Sequence, residues 1–169
     1  MIMAILPIIG LNKMQKILPV LWFEGNGEEA LNYYKAIFPN AKTKIINRYP
    51  ANSMLPEGEM MVGQIEVFGQ QFGILNGGPH VQFSDCVSFL ISCENQEEID
   101  HYWESLTKEG KEVQCGWLKD KYGVSWQIVP KMWMDIIESQ DETKNAKGMG
   151  AIMQMKKIII KEIEEAIAS

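Results

Sequence analysis

An internal repeat constrains the fold of this chain more than any other feature of its sequence. The stretch LWFEGNGEEALNYYKAIF (Leu21–Phe38) aligns with LISCENQEEIDHYWESLT (Leu90–Thr107), 69 positions further along the chain. In this alignment Asn26 falls on Asn95. In both copies an apolar run leads through a polar turn into an amphipathic segment. The order strand, turn, helix is therefore predicted twice.

Each copy places four apolar residues on one face of its predicted helix. These residues are Ala30, Tyr34, Ile37 and Phe38 in the first copy and Ile99, Tyr102, Trp103 and Leu106 in the second. Runs typical of β-strands follow each helix, among them EMMVGQIEVF and QFGIL in the first copy and VSWQIV in the second. We therefore predict an α+β fold of paired βαβββ modules.

The repeat also sets the expected boundaries. Residues 14–130 are predicted to form one domain, with the first module at about 16–79 and the second at about 84–130. Residues 1–13 are expected to be an N-terminal extension, with an apolar strand or packing segment as the alternative. Residues 131–169 are predicted to be a helical tail. This tail either packs on its own sheet or forms a dimer contact.

The segment CGWLKDKYGVSWQIVP (Cys115–Pro130) combines a thiol, two tryptophans and a glutamine. It is either a catalytic segment around Cys115 or a β-hairpin. Asp120–Gly123 has the composition of a hairpin turn, with Gly123 supplying a positive φ. A nucleophilic cysteine needs a base or a positive neighbour, and only Lys111 and Lys119 are near in sequence. We therefore favour a hairpin with an inert strand cysteine.

Composition excludes several classes of function. The net charge of −6 and the absence of a Lys/Arg run argue against nucleic-acid binding. The apolar N-terminal stretch MIMAILPIIGL is too short to span a bilayer, so no membrane partner is expected. The three cysteines form no CxxC motif, and no secretory leader is recognisable. A cytoplasmic location is therefore expected.

Four blocks of this sequence resemble the PhnB-like branch of the vicinal oxygen chelate superfamily, which includes glyoxalase I, bleomycin-resistance proteins and extradiol dioxygenases. The blocks are LPVLWFEGNGEEALNYYKAIFPNAK, VFGQQFGILNGGP, VSFLISCENQEEIDHYWESL and CGWLKDKYGVSWQIVP. The tail GMGAIMQMKKIIIKEIEEAI is also similar to the helical end of that branch. The resemblance implies that the paired modules form a cup, and that the protein is a homodimer. The branch also carries the label 3-demethylubiquinone-9 3-methyltransferase.

In the metalloenzymes of the superfamily, a divalent metal is held by residues of the first and last strands of the modules. The corresponding positions here are Leu18, Ile74 or Leu75, Val87 or Ser88, and Gln127. Of these only Gln127 is a good ligand, and neither His80 nor His101 falls on such a position. We therefore expect no glyoxalase-type metal site, with a divalent metal at an unusual site as the disfavoured alternative.

The methyltransferase label is not supported by a cofactor motif. Gly25–Gly27 precedes a helix but lacks the fuller glycine-rich fingerprint of nucleotide-type cofactors. No cofactor is therefore predicted.

The cup itself remains a candidate site. Its predicted lining comprises Trp22, Asn76, Cys115, Trp117, Trp126 and Gln127. Aromatic walls with a few polar groups suit a small planar or amphipathic molecule, while plain core packing is the alternative for the tryptophans. We predict a protein that binds a small organic molecule in this cup. The alternative is a lyase, oxygenase or transferase that uses the same cup with an atypical metal site or Cys115.

Overall fold

The computed structural model describes residues 15–79 and 81–169 and divides the chain after Val81 into two compact units. The first unit contains β1 (Val20–Glu24), α1 (Gly27–Ile37), β2 (Lys42–Arg48), β3 (Met60–Val67) and β4 (Gln70–Gly77). The second contains β5 (Ser88–Cys93), α2 (Gln96–Thr107), β6 (Lys111–Glu112), β7 (Trp117–Lys119) and β8 (Ser125–Pro130). Three further helices follow: α3 (Met132–Ile137), α4 (Glu142–Gln154) and α5 (Ile160–Ala168). The βαβββ order is therefore confirmed twice, and the fold class is α+β.

Two predictions fall partly or wholly outside the described residues. The N-terminal extension at 1–13 is one, and the position of His80 is the other.

The first unit is a four-stranded mixed sheet in the order β1-β4-β3-β2. β1 and β4 are parallel, from Val20 opposite Gly73 to Glu24 opposite Gly77, and the other pairs are antiparallel. The predicted apolar face of α1 is buried, because Ala30, Tyr34, Ile37 and Phe38 are each 8% exposed or less. This helix therefore covers one face of the sheet.

The second unit repeats this arrangement, with strand order β5-β8-β7-β6 and a parallel β5–β8 pair. The predicted face of α2 is also confirmed. Its residues Ile99, Tyr102, Trp103 and Leu106 are each 3% exposed or less. Helical spacing alone located both helix faces correctly.

The two copies are offset by 69 residues in their helices but by 70 residues in their first strands. The buried residues of β1 are Leu21 and Phe23, and those of β5 are Ile91 and Cys93. Two residues separate Phe23 from Asn26 at the start of α1, whereas one residue separates Cys93 from Asn95 at the start of α2. The alignment of Leu21 with Leu90 is therefore wrong by one residue. In the strands, Leu18 corresponds to Ser88.

The predicted hairpin turn at Asp120–Gly123 is confirmed. β7 and β8 pair in antiparallel fashion, and Gly123 has a φ of +87°. The Gly123 backbone N–H donates to the Asp120 carbonyl over 2.9 Å. The Asp120 side chain is also buried, and its Oδ1 accepts from the backbone N–H groups of Tyr122 (2.9 Å) and Val124 (3.1 Å). The buried carboxylate therefore stabilises the turn through these two hydrogen bonds.

The C-terminal tail packs on the second unit. Gln96, at the first position of α2, donates from Nε2 to the Ile158 carbonyl (3.0 Å) and accepts from the Ile160 N–H (2.9 Å). Ile152, Ile158 and Ile163 of the tail are fully buried. The tail therefore contacts its own unit, and the dimer contact stays a prediction. Within the described residues, no helix has the length and apolar composition needed to cross a membrane.

Candidate functional site

Each sheet has one face covered by its helix and one face turned away from it. Residues paired across strands share a face, and side chains alternate along each strand. Gly63 lies under α1, where a Cβ atom would be 3.5 Å from Leu31 Cδ2, so its strand neighbours Val62 and Gln64 point away from the helix. We call these surfaces the distal faces. The first distal face comprises Val20, Trp22, Lys42, Lys44, Val62, Gln64, Glu66, Gln71, Gly73, Leu75 and Gly77. The second comprises Ser88, Leu90, Ser92, Lys111, Trp117, Lys119, Ser125, Gln127 and Val129.

Trp22 lies on the first distal face, and its indole ring lies against Gly77. A Cβ atom at Gly77 would come within 2.5 Å of Trp22 Cε2, so only glycine leaves room for the ring at its present position. Trp22 Nε1 donates to the Gly78 carbonyl over 3.2 Å. The ring is therefore held flat along the sheet and remains partly exposed.

Asn76 lies on the opposite face of the same sheet, toward α1. It is fully buried, and its Oδ1 accepts from the Gly27 N–H (2.9 Å) while its Nδ2 donates to the Met60 carbonyl (2.8 Å). A hydrogen bond of 2.7 Å from the Tyr49 hydroxyl reaches the Asn76 backbone carbonyl. The structure therefore does not bring Asn76 together with Trp22. The Asn76 side chain instead joins β4 to β3 and to the start of α1.

The second distal face brings Trp117 and Gln127 together, because they are directly opposed across β7 and β8. Gln127 Nε2 donates to Ser88 Oγ of β5 over 2.8 Å. Leu90, opposite Gln127 on the other side, is 49% exposed. This face therefore combines an indole, an amide, a hydroxyl and an aliphatic side chain within three adjacent strands.

Trp126 points the other way, toward α2. It is 7% exposed, its Nε1 donates to Asp120 Oδ2 over 2.9 Å, and its ring lies 5.5 Å from that of Phe89. Both the packing and the polar contact of Trp126 are thus internal to the second unit. The structure separates Trp126 from Trp117 and Gln127.

Cys115 lies in a turn before β7, and its expected place in a strand is wrong. Cys115 and Gly116 have successive positive φ values of 60° and 79°, a combination typical of tight hairpin turns. The Cys115 N–H donates to the Met155 carbonyl (2.8 Å), and its Sγ lies 3.6 Å from Met153 Sδ. The side chain is half-buried against the tail.

The residues at the superfamily's metal positions do not fit a divalent metal. In the first unit, Leu18 and Leu75 offer only hydrocarbon, and Ile74 is fully buried on the α1 side. In the second, Ser88 and Gln127 are hydrogen-bonded to each other. Catalytic metals take several imidazole, carboxylate or thiolate ligands, and no three His, Cys, Asp or Glu side chains form such a group among the residues described.

The first distal face also carries a polar cavity that sequence reasoning missed. Its volume is about 130 Å³, and its lining residues are Lys42, Thr43, Lys44, Gln64, Glu66 and Gln71. Lys42 Nζ and Glu66 Oε1 form an ion pair of 2.8 Å. The alternation of polar residues in KTK of β2 and QIE of β3 could have indicated a polar sheet face. The sequence could not indicate that these two runs lie side by side.

A second polar group lies at the edge of the second distal face. Asp85 accepts from Ser125 Oγ (2.8 Å) and forms an ion pair of 2.7 Å with Lys119. The hydrogen bond from Lys119, and then that from Ser125, lowers the pKa of the Asp85 carboxyl below its ordinary value. Asp85 is therefore ionised at neutral pH, and it neutralises one of the lysines of this face.

Comparison with known proteins agrees with this architecture. The model of the family described as 3-demethylubiquinone-9 3-methyltransferase matches residues 15–129. The PhnB protein from Bacillus cereus is 34% identical, with 69% of this chain and 99% of that chain covered and a TM-score of 0.64. A protein from Pseudomonas aeruginosa is 17% identical, with 70% and 98% covered and a TM-score of 0.58, which shows a common fold. No curated protein matches the chain.

The paired βαβββ units are those of the vicinal oxygen chelate superfamily. Within it, this chain belongs to the PhnB-like family whose model is described as 3-demethylubiquinone-9 3-methyltransferase. The family match ends at residue 129, so the similarity of the tail to the helical end of that branch stays a prediction.

The turn Gly25–Gly27, the one segment reminiscent of a cofactor loop, is closed from within. The Gly27 N–H already donates to Asn76 Oδ1 over 2.9 Å, in a buried position. A Cβ atom at Gly27 would lie 2.8 Å from Asn76 Cβ, so the space in front of this amide is filled by the asparagine. The hydrogen bond of this turn therefore links the start of α1 to β4.

Proposed function

We propose that this protein binds a small organic molecule, and that Trp117 and Gln127 of the second distal face make the main contacts. The observation that carries the proposal is the group formed by these two side chains with Ser88 and Leu90. An indole beside a fixed amide suits a planar molecule with a polar edge. Among the predicted lining residues, Trp117 and Gln127 are the pair that the fold places side by side.

The hydrogen bond from Gln127 to Ser88 supports this role in a second way. It uses one N–H of the amide and orients the side chain, while the residue stays partly exposed. Gln127 Oε1 accepts no hydrogen bond from any described residue, so it is available to a donor on the ligand. A preoriented amide loses less conformational entropy on binding than a mobile one.

Trp22 is the corresponding aromatic surface of the first unit. Its ring is fixed by Gly77 and by the hydrogen bond to Gly78, and it stays partly exposed on the first distal face. A role for Trp22 in ligand binding stays a prediction. The contacts of Asn76 and Trp126 support structural roles for both.

The second candidate is an enzyme that acts through Cys115, which lies two residues before Trp117. Its left-handed backbone is the observation in favour, because strained non-glycine residues cluster at functional sites. Substitution by serine separates the two candidates. Binding alone survives Cys115→Ser, whereas covalent chemistry at the thiol does not.

The test is a titration of the full chain with salicylate, a planar probe with a polar edge. Saturation-transfer NMR detects the bound salicylate. We expect binding by the wild type and a loss of about tenfold in affinity for Trp117→Ala and for Gln127→Leu, which corresponds to one good contact. Trp133→Ala, on α3, is the matched control and keeps the wild-type affinity. Equal binding by all four proteins, or no binding by the wild type, overturns the proposal.

Native mass spectrometry of the untagged protein complements this titration. A retained organic mass supports binding and begins to identify the ligand, and the same spectrum tests the predicted homodimer. One tightly bound metal ion per chain would contradict the conclusion that the positions Leu18, Ser88 and Gln127 do not form a metal site. The cytoplasmic location stays a prediction.

A further inference from the structure

Two lysines of the second distal face are directly opposed across neighbouring strands. Lys111 of β6 pairs with Lys119 of β7. Side chains in such positions have Cβ atoms about 5 Å apart, and like charges so placed destabilise a sheet. Residues that break a local rule of stability are typical of functional sites. The pair therefore points to a negatively charged partner.

The chain itself balances one of these two charges. Asp85 forms an ion pair with Lys119 over 2.7 Å and also accepts from Ser125 Oγ over 2.8 Å. Lys111 is exposed, and it forms no ion pair with any residue that the structure describes. One positive charge therefore remains on this face, in a chain whose net charge is −6.

The carboxylate that follows Lys111 in the sequence is engaged on the other side of the sheet. Glu112 Oε1 accepts from Trp103 Nε1 over 3.1 Å, and Glu112 Oε2 lies 3.6 Å from Lys156 Nζ. Among the described strand residues of the second distal face there is neither an aspartate nor a glutamate. The ammonium of Lys111 therefore attracts an anion from solution.

The two lysines lie beside the indole and the amide of the proposed site. Lys119 and Trp117 are two residues apart in β7, so their side chains share a face. Lys111 and Lys119 thus form one row across the strands. Trp117 and Gln127 form the next row, about 7 Å away along the strand direction. A planar ring on the indole can therefore direct an anionic group along β7 to the lysines.

We infer that the molecule bound at Trp117 and Gln127 is a planar carboxylate, with its ring on the indole and its carboxylate bound by Lys111. Lys119 keeps its ion pair with Asp85, so Lys111 is the residue that selects the charge of the ligand. This inference rests on the proposed function and adds to it the chemical class of the ligand.

The test compares salicylate with salicylamide, which has the same ring and hydroxyl but an uncharged amide in place of the carboxylate. Titration of the full chain at pH 6 and constant ionic strength, followed by saturation-transfer NMR, measures both affinities. We expect the wild type to bind salicylate about fivefold more tightly than salicylamide, which is the upper end for an exposed ion pair. Equal affinities, or tighter binding of salicylamide, overturn the inference.

Two variants assign the preference to Lys111. Lys111→Gln should abolish the preference for salicylate and leave the affinity for salicylamide unchanged. Lys108→Gln makes the same change of charge at an exposed lysine just after α2, and this matched control should keep the preference. A preference retained in Lys111→Gln, or lost in Lys108→Gln, overturns the assignment to Lys111.

Trp117→Ala separates this inference from the proposed function, because it should weaken the binding of both compounds. If the wild type binds both equally and Trp117→Ala weakens both, the inference fails while the proposed function stands. If the wild type binds neither compound, the proposed function fails and the inference fails with it.

Discussion

Replacement of Asn76 by alanine should destabilise the first unit more than any ordinary helix-cap substitution. In the repeat, Asn26 and Asn95 occupy the same place before their helices, yet only Asn95 caps with its side chain, accepting from the Glu98 N–H over 2.9 Å. Asn26 makes no side-chain cap. At the start of α1 the acceptor is instead the distant Asn76.

The magnitude follows from the two groups that Asn76→Ala leaves without a partner. These are the Gly27 N–H and the Met60 carbonyl, which the asparagine now reaches over 2.9 and 2.8 Å in a site with no exposure to solvent. An unsatisfied buried backbone group costs about 1–3 kcal/mol, so the loss of two partners should lower the free energy of unfolding by about 2–6 kcal/mol. Asn95→Ala, which removes an ordinary cap, should cost about 1 kcal/mol.

Urea unfolding followed by far-ultraviolet circular dichroism measures these differences. Asn26→Ala is the matched control and should change the free energy of unfolding by less than about 0.5 kcal/mol, as expected of a surface residue without a special contact. The reasoning is refuted if Asn26→Ala costs as much as Asn76→Ala, or if Asn76→Ala costs less than Asn95→Ala.

Two further predictions concern titratable groups. Cys86 is exposed and should be alkylated in the folded protein. Cys93 should be alkylated only on unfolding, because burial, with the nearby Glu98 charge, raises the pKa of its thiol to about 12. Mass spectrometry after brief treatment with iodoacetamide measures both reactions, and equal rates would contradict the burial of Cys93. The hydrogen bond from Lys157 lowers the pKa of Asp100, so this pair stabilises the fold above the ordinary carboxyl pKa and ceases to do so as pH falls through the depressed folded value. Asp100→Asn should therefore lower the free energy of unfolding by less than about 1 kcal/mol at pH 6 and leave it unchanged at pH 2. Thermal unfolding at both pH values measures this difference. An equal loss of stability at pH 2 would exclude the Asp100 charge as its cause.

Much of the local structure followed from the sequence because its causes are local. Four residues in each helix showed the spacing of one buried face, from Ala30 to Phe38 and from Ile99 to Leu106, and all eight are buried. The turn at Asp120–Gly123 was equally readable, since a tight turn needs a residue such as glycine at its positive φ. Periodicity and turn chemistry depend on a few neighbouring residues.

The positions of the candidate site residues were decided by strand register. The one-residue difference between β1–α1 and β5–α2 is invisible in an alignment anchored on Asn26 and Asn95. A shift of one residue moves a side chain to the other face of a sheet. The predicted lining also grouped Trp126 with Gln127, although neighbours in one strand point to opposite faces of the sheet. Asn76 and Trp126 point toward the helices of their units.

The sequence by itself determined two βαβββ modules, the faces of their helices and a polar alternation in their strands. Only the tertiary structure decided which residues became partners. Asn76 caps a helix that begins 49 residues earlier, and Gln96 holds the tail through Ile158, 62 residues away. Lys44 of β2 and Gln71 of β4 line one polar cavity in the same way. Such pairs form because strands distant in sequence become adjacent in a sheet, and no local pattern encodes that adjacency.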